Sequence, residues 1–581
     1  MTRQAFTGQA ASAGIAVGTV HRTDRPPAVP RPGEAVVGAC PYRPGESADP
    51  GGPADPGRAA RAAEAAFEAV AEHLERLAAS LRAEGRIEQA DLLEVGGYLA
   101  RDQDLRASAT RRAGRGAPAD TAVREAVEEY AAVIGALADP VLAERAADIR
   151  QVGRRALAWL DGAGLARPEG PLVLVAHEVG AADLLEPGGD VVGAVSVTGG
   201  PGSHAAIVAR SLGIPLLLGL DPAVLDLPDG AEAIVDGDRA RITVHPAGPE
   251  RARALAATDA ACARRAALAA ERHLPCETLD RHTVILRANV ATAAQAEAAL
   301  LAGADGIGLL RTELPFLEAP RWPTAEQHTA ALAPVLRELA GRPVTVRTLD
   351  FADDKLPPFL AGAARDGGRL GRGLPLMLAR PDAFAAQFRA VLTAGAGTDL
   401  RIMIPMVAAP EELRACREIL RETADALGVP VPPLGAMVEL PEAVARAAEL
   451  AREAAFLSIG SNDLTGQILG LDRRDPAAGP VLAAHPAVLR AIGRVVEAGH
   501  RYRRQVSLCG DAAAHPVVLP LLVGLGCDVL SAAPAALDEI RARIRRLDAE
   551  ACAEAAREAL AAGSVEEVRA IVERRCSPAL P

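Results

Sequence analysis

The chain has 581 residues, half of them hydrophobic but only 2% aromatic, and its formal net charge is -12 at pH 7. This length predicts several domains with cores of alanine and small aliphatic side chains, and the negative charge argues against nucleic acid as the main partner. The eight cysteines form no CxxC pair and no zinc pattern, and no secretory or membrane-spanning segment is predicted, so we expect a cytoplasmic protein with reduced thiols.

The first 162 residues combine short strands with a helical block. Residues 7–22 (TGQAASAGIAVGTVHR) predict short strands with a glycine turn, and SADPGGPADPG predicts a linker. From about 57 to 162, charges recur every three or four residues and predict helices, the last around LAERAADIRQVGRRALAWL. Because strand patterns resume after this block, we interpret it as an insertion into one α/β domain.

The resumed α/β pattern, residues 163–245, contains the most informative segment of the chain. Its apolar runs PLVLVA, VVGAVSV, IPLLLGL and AEAIVDG predict strands. Between them, in TGGPGSHAAIVARSLGIP, His204 opens a short apolar helix that Gly213 and Pro215 end. The free N–H groups and positive dipole end of a helix N-terminus stabilise a bound phosphate, and a neutral imidazole can act as a nucleophile. The alternative is a histidine that caps a Gly-rich turn.

The second half of the chain has the pattern of a TIM barrel. Residues 246–272 predict an alanine–arginine connector helix. After it, eight apolar runs alternate with helices, as in a (β/α)8 barrel: HTVILRANV, DGIGLLRTE, PVTVRTLD, LRIMIPMV, LGAMVEL, AFLSIGSND, VSLCGD and CDVLSAA. The run VVLPLLVGLGCDVLSAAPAAL is long enough to cross a membrane, but its prolines, glycines and aspartate predict a loop, a buried strand and a turn instead.

Polar side chains follow these strands at the barrel mouth where catalytic groups collect. They are Arg311, Arg347, Glu439, Asn462, Asp463 and Cys509. Each by itself is compatible with a solvated strand end or a structural ion pair, but six on one rim favour a site. Glu439 and Asp463 offer oxygen ligands for Mg²⁺. The arginines, with Arg473 in LDRRD, match phosphate and carboxylate.

This combination favours transfer of a phosphoryl group from an anionic donor, because such catalysis depends on positioning and charge neutralisation. Cys509 remains open at this point, since it is either a plain buried thiol or a proton donor at the charged mouth.

Several blocks resemble Enzyme I, the phosphoenolpyruvate–protein phosphotransferase family of the bacterial sugar phosphotransferase system. They are the histidine segment, GADGIGLLRTEL, RPVTVRTLDFADDK, LRIMIPMV, GAMVELPEAV, FLSIGSNDLTGQILGLDR and SLCGD, in the family's order. The N-terminal GIAVG and LAERAADIRQVGRR match as well, so the resemblance covers nearly the whole chain. The resemblance implies a multidomain α/β protein. A phosphohistidine swivel domain (1–56 and 163–245) would carry an inserted helical domain (57–162) that binds the carrier protein HPr, followed by a linker (246–272) and a TIM barrel (273–581) that dimerises.

The resemblance also implies a role for each site residue. Phosphoenolpyruvate would be bound by Arg311, Arg347, Arg372, Asn462, Asp463 and Arg473. Glu439 and Asp463 would hold Mg²⁺, and Cys509 would protonate the enolate of pyruvate. His204 would attack the phosphorus and pass the phosphoryl group to a histidine of HPr.

Two blocks depart from the family pattern. The family's GGRTSHT is GGPGSHA here, with Pro201, Gly202 and Ala205 at the changed positions. Its NPxLGYRAIR block is DGGRLGRGLPLML, in which Arg372 aligns with the first arginine and Pro375 with the second. Loss of one such donor costs about 3 kcal/mol of transition-state stabilisation, so the alternative is a weakened paralogue that binds HPr as a regulator. A dikinase, which shares the histidine segment, requires a nucleotide domain for which the helical block has no Gly-rich loop.

Overall fold

The computed structural model describes residues 3–23, 56–83, 87–135, 140–162, 170–185, 190–200, 203–317, 319–351, 357–361, 373–471 and 479–576. The chain divides into two compact units, Met1–Ala263 and Arg264–Pro581. Among the described residues, no helix combines the length and hydropathy that crossing a membrane requires.

The N-terminal unit contains the predicted strands and the predicted helical block. Three strands come first: β1 (Gln4–Thr7), β2 (Gln9–Ser12) and β3 (Ile15–Arg22). Five helices follow: α1 (Pro56–Ala83), α2 (Ile87–Ala100), α3 (Gln103–Gly114), α4 (Ala119–Gly135) and α5 (Pro140–Leu160). The unit continues with β4 (Pro171–Ala176), α6 (Ala181–Leu185), β5 (Asp190–Ser196), α7 (His204–Leu212), β6 (Leu216–Leu218), β7 (Glu232–Asp236) and β8 (Arg241–Val244).

These eight strands form one mixed sheet in the order β1-β8-β7-β3-β4-β5-β6-β2. Strands β3 and β4 pair in parallel, with Thr19 opposite Leu172, although the five helices lie between them in sequence. The topology therefore agrees with the interpretation that the helical block interrupts one sheet. Strand β8, in the short run RITV, was not among the predicted strands.

The helical block packs around an alanine-rich core. Its fully buried side chains include Phe67 and Leu74 of α1 and Leu93 of α2, surrounded by buried alanines such as Ala63 and Ala66. Small side chains allow the helices to approach closely, and the few large ones fill the remaining space. The composition, rich in alanine and poor in aromatics, thus accounts for this packing.

A long helix, α8 (Gly248–Ala270), forms where the connector was predicted. The boundary between the two compact units falls within it.

The C-terminal unit confirms the predicted barrel. Its eight parallel strands are β9 (Ile285–Val290), β10 (Ile307–Leu310), β11 (Pro343–Arg347), β12 (Asp399–Ile404), β13 (Leu434–Val438), β14 (Phe456–Gly460), β15 (Gln505–Cys509) and β16 (Val529–Ala532). They follow one another around a closed barrel in which β16 pairs with β9.

Fourteen described helices accompany these strands. They are α9 (Ala293–Leu301), α10 (Ala325–Glu338), α11 (Pro358–Ala361), α12 (Gly373–Leu378), α13 (Pro381–Ala394), α14 (Pro410–Leu427), α15 (Pro441–Ala445), α16 (Ala447–Glu453), α17 (Ser461–Leu469), α18 (Pro486–Arg501), α19 (Val518–Gly524), α20 (Leu537–Ile544), α21 (Ala549–Ala561) and α22 (Val565–Arg575). Most apolar side chains of these elements form one large core, and a smaller cluster of Leu309, Met403, Met437, Phe456 and Cys509 is separate from it.

One segment of the barrel differs from its prediction. The stretch VLPLLVG, expected to be a loop, is the buried helix α19. Pro520 lies in the first turn, where a proline is tolerated because no N–H partner is lost. A Cβ atom at Gly524 would overlap the carbonyl oxygen of Cys552 in α21. The glycine therefore permits close helix packing and does not mark a loop.

Candidate active site

A cavity of about 450 Å³ lies at the carboxyl ends of the barrel strands. Six of the predicted site residues line it: Arg311, Arg347, Glu439, Asn462, Asp463 and Cys509. They lie at the end of, or directly after, five different strands: β10, β11, β13, β14 and β15. The parallel barrel is what brings residues that are far apart in sequence to one mouth.

Arg347 is held between two carboxylates at the end of β11. It is only 8% exposed; its Nη2 donates to Glu313 Oε1 at 2.7 Å, and its Nη1 lies 2.6 Å from Asp350 Oδ2. Burial alone would lower the pKa of this guanidinium, but the charges of Glu313 and Asp350 outweigh burial and raise it. Neither acid was among the predicted site residues, although each stands within three residues of a predicted arginine. The arginine is therefore a fixed positive charge at the cavity wall.

Glu439, directly after β13, is fully buried and is oriented by the backbone. Its Oε1 accepts a hydrogen bond from Met406 N at 2.7 Å. Met406 has a φ of 54°, a left-handed conformation that costs energy for a non-glycine residue and is common at functional sites. The other carboxylate oxygen, Glu439 Oε2, lies next to Gly460, where an added Cβ atom would be only 2.7 Å away. The carboxylate thus occupies a space that only glycine at position 460 leaves.

Asn462 and Asp463 lie in the first turn of α17, which begins immediately after β14. Asn462 Nδ2 donates to Asp511 Oδ2 at 3.3 Å. Ser461, just before them, donates from its hydroxyl to the carbonyl of Cys509 at 3.0 Å and so joins the ends of β14 and β15. The N-terminal end of a helix favours a negative charge such as that of Asp463. The strand-to-helix junction therefore supplies one amide and one carboxylate to the cavity.

Cys509 ends β15 and is buried at the floor of the cavity. Its Sγ donates to the carbonyl of Ile459 at 3.5 Å and accepts from Ser458 Oγ at 3.7 Å. Burial raises the pKa of this thiol, and the charge of Glu439 adds to the effect, whereas Ser458 and the two arginines oppose it. The group is therefore a neutral thiol at physiological pH, as required of a proton donor and also normal for a structural cysteine.

The cavity has the donor set for a divalent cation that binds together with an anionic substrate. Glu439 and Asp463 both line it. No group of three or more His, Cys, Asp or Glu side chains able to hold a metal occurs in the part of the chain that the structure describes. Mg²⁺ commonly takes one or two carboxylates and completes its shell with substrate oxygens and water, so two carboxylates fit such an ion.

His204 is the first residue of α7 in the N-terminal unit. Ser203 occupies the N-cap and accepts from Ala206 N at 3.3 Å, and Gly213 ends the helix with a φ of 67°. The predicted helix and its end are thus present, with Ser203 at the N-cap. Arg372, Arg473, Pro201 and Gly202 lie outside the described residues.

Three families of phosphoenolpyruvate-utilising enzyme domains match the chain. The N-terminal family matches residues 7–145, the mobile domain matches residues 168–240, and the phosphoenolpyruvate-binding domain matches residues 265–549. The cavity lies within the last of these.

Curated relatives cover most of the chain. A "Multiphosphoryl transfer protein" of Xanthomonas campestris pv. campestris is 40% identical over 78% of this chain and 55% of its own length, and one of Rhodobacter capsulatus is 38% identical over 81% and 58%. A "Phosphoenolpyruvate-protein phosphotransferase" of Streptomyces coelicolor is 37% identical over 85% of this chain and 89% of its own. The chain thus spans little more than half the length of the first two relatives and most of the third. It belongs to the phosphoenolpyruvate-protein phosphotransferase family.

Proposed function

We propose that this protein transfers the phosphoryl group of phosphoenolpyruvate to His204 and then to a histidine of an HPr-like carrier, as the first step of a sugar phosphotransferase system. The observation that carries the proposal is the convergence of two arginines, two carboxylates, an amide and a thiol on one cavity in a member of this family. A doubly anionic phosphate with a neighbouring carboxylate requires this combination of charges.

Arg311 and Arg347 would bind the substrate in different ways. Arg311 is exposed and lines the cavity, so its planar fork is available to the phosphate or carboxylate. Arg347 is already paired with Glu313 and Asp350 and supplies a charge of fixed position. By resemblance, Arg372 and Arg473 would add further donors.

Phosphoenolpyruvate-utilising enzymes use a divalent metal ion, and we propose Mg²⁺ here. Glu439 and Asp463 are the residues that would hold it. When bound, the ion supplies neutralisation of the negative charge on the phosphoryl oxygens.

Each bond that breaks and each proton that moves in the proposed reaction assigns a role to His204 or to Cys509. A ring nitrogen of His204 forms a bond to phosphorus as the bond from phosphorus to the enol oxygen breaks. The enolate of pyruvate takes a proton on its methylene carbon from Cys509 Sγ, and the thiolate later regains one from water. The raised pKa of Cys509 supports this role, because a thiol that stays protonated at neutral pH can donate.

The phosphorylated His204 would then meet the carrier protein on the helical block, residues 57–162, and a homodimer would form through the barrel. We extend both features from the family resemblance. Size-exclusion chromatography with light scattering tests the dimer.

A weakened paralogue that regulates by binding HPr is the second candidate. It is favoured by Pro375, which lies in α12 where the family block has a second arginine, and by the altered residues before His204. Calorimetry with HPr separates the candidates, since tight binding without phosphoryl transfer supports the regulator.

Labelling with phosphoenolpyruvate tests the proposed activity. The wild type, incubated with Mg²⁺ and ³²P-labelled phosphoenolpyruvate, is expected to take up an acid-labile label, which HPr removes. His204→Ala should take up none, and chelation of the metal should prevent uptake by the wild type. An unlabelled wild type, or equal labelling of His204→Ala, contradicts the proposal. His177→Ala is a matched control, because it replaces another histidine of the same unit.

A further inference from the structure

A buried amide outside the barrel joins the ends of two neighbouring strands. Gln387, in α13, has no exposed surface. Its Oε1 accepts from Leu349 N at 3.1 Å, two residues after β11, and its Nε2 donates to Thr312 Oγ1 at 3.0 Å, two residues after β10. Both ends of one side chain are therefore used to fix the segments that directly follow β11 and β10, next to Arg347 and Arg311.

Thr312 continues this connection toward the cavity. Its side chain is buried, and its hydroxyl accepts from Gln387 while donating to the carbonyl of Arg347 at 2.9 Å. Its own N–H donates to Glu313 Oε2 at 3.1 Å. The other oxygen of Glu313 accepts from the Arg347 guanidinium. The hydrogen-bond network therefore runs from Gln387 through Thr312 and Glu313 to the Arg347 side chain, which lines the cavity.

Arg311 is constrained by the same segment. It directly precedes Thr312, and its N–H donates to the carbonyl of Val290, at the end of β9, at 2.9 Å. A backbone held on both sides of Arg311 limits where its side chain can begin. Connected hydrogen bonds in a buried region limit how far the groups that they join can move relative to one another.

We propose that Gln387 and Thr312 are positioning residues for the phosphoryl donor, and that they act by setting the relative placement of Arg311 and Arg347. The inference deepens the proposed function and rests on it. Gln387 touches neither the cavity nor the substrate in this role. It acts through Thr312, which connects to both arginines.

The test measures phosphoenolpyruvate binding and turnover in matched variants. Thr312→Val keeps the shape of the side chain and removes the hydroxyl, Thr312→Ser keeps the hydroxyl, and Gln387→Met keeps the length without the amide. The control is Thr423→Val. Thr423 is also buried, and its hydroxyl donates to the carbonyl of Ile419 at 2.7 Å within α14, with no connection to the site in these contacts.

Binding is measured by calorimetry in a His204→Ala background, where no turnover occurs, and KM and kcat are measured with His204 present. Thr312→Val and Gln387→Met are each expected to weaken binding and raise KM about tenfold, the size seen when a supporting hydrogen bond is lost. The double variant should be no worse than either alone, because both break one network. Thr312→Ser should restore binding to within about twofold of the wild type.

Other outcomes contradict the proposal. If Thr312→Val and Gln387→Met lower the melting temperature as Thr423→Val does and leave KM unchanged, the network serves stability alone. If the effects of Thr312→Val and Gln387→Met on KM add in the double variant, the two residues do not act through one network. If the wild type is not labelled and the His204→Ala protein binds no phosphoenolpyruvate, the proposed function fails and the positioning role fails with it. Should Gln387→Met not fold, the Thr312 pair tests the same network from its other end.

Discussion

Burial is the main factor that sets the protonation state of the Cys509 thiol. The residue ends a barrel strand, so its side chain is removed from water at the floor of the cavity. Desolvation disfavours the thiolate, and the neighbouring Glu439 carboxylate acts in the same direction. The nearby arginines reduce this effect without reversing it. The site thus keeps its sulfur in the acid form.

Alkylation rates test this protonation state. At about pH 8, iodoacetamide should modify the exposed Cys262 at least about tenfold faster than Cys509, because the thiolate is the reactive form and burial raises the pKa of Cys509. The rate at Cys509 should rise as pH increases above this point, while Cys527, whose pKa burial raises to about 12, stays unmodified. Peptide mapping by mass spectrometry measures each site. Rapid modification of Cys509 at neutral pH would show a thiolate and remove its role as the acid.

The junction between β14 and α17 shows how secondary-structure elements form the proposed cation site. The strand ends at Gly460 and the helix begins at the next residue, so no loop separates the carboxylate-bearing turn from the barrel wall. The Glu439 carboxylate occupies the space that a side chain at Gly460 would fill. Glu439, directly after β13, and Asp463, in the first turn of α17, therefore line the same cavity, and Gly460 leaves the space for Glu439.

Gly460→Ala is predicted to displace the Glu439 carboxylate, since the added Cβ would lie 2.7 Å from its Oε2. We expect the Mg²⁺ concentration for half-maximal labelling to rise about tenfold or more, as for other changes next to metal ligands. Gly493→Ala in α18, whose added Cβ meets only Leu525 at an ordinary 3.4 Å, is the control and should leave the metal requirement unchanged. An unaltered metal requirement in Gly460→Ala would place the cation elsewhere.

The amino-acid pattern predicted all eight barrel strands, because each lies in a short, mostly apolar run between helical segments. It predicted the wrong structure for α19, since a glycine that serves packing with α21 is identical in sequence to one that serves a turn. It did not find Gln387, which bonds to a threonine 75 residues away. Such a pairing depends on which helix covers which strands, and local periodicity does not contain that information.

The whole molecule consists of two compact units, and the only two tryptophans of the chain are divided between them. Trp159 belongs to α5 of the N-terminal unit. Trp322 belongs to the barrel unit, where its ring lies 4.7 Å from that of Phe359. Each unit has its own core, so their unfolding need not follow one two-state transition.

Substrate should therefore stabilise one unit selectively. In Trp159→Phe, the fluorescence of Trp322 reports unfolding of the barrel, and in Trp322→Phe, Trp159 reports the N-terminal unit. Phosphoenolpyruvate with Mg²⁺ at about 100 times its dissociation constant is expected to stabilise the barrel by about 2.7 kcal/mol, and His204→Ala should be used so that no turnover occurs. The transition of the N-terminal unit should not move. Equal shifts of both transitions would mean that the two units unfold together.

One short segment, residues 4–12, supplies the strands at both edges of the N-terminal sheet. Strand β1 pairs with β8 and strand β2 with β6, and these are the outermost positions of the sheet. Gly8 lets the segment turn between them, since any Cβ there would lie 2.6 Å from the carbonyl of Leu218. Loss of nine residues would thus uncover two rows of backbone donors and acceptors at once, and unprotected rows of this kind recruit strands from other copies. The segment therefore pairs with the backbone groups of both β8 and β6, at positions far in sequence from the barrel cavity.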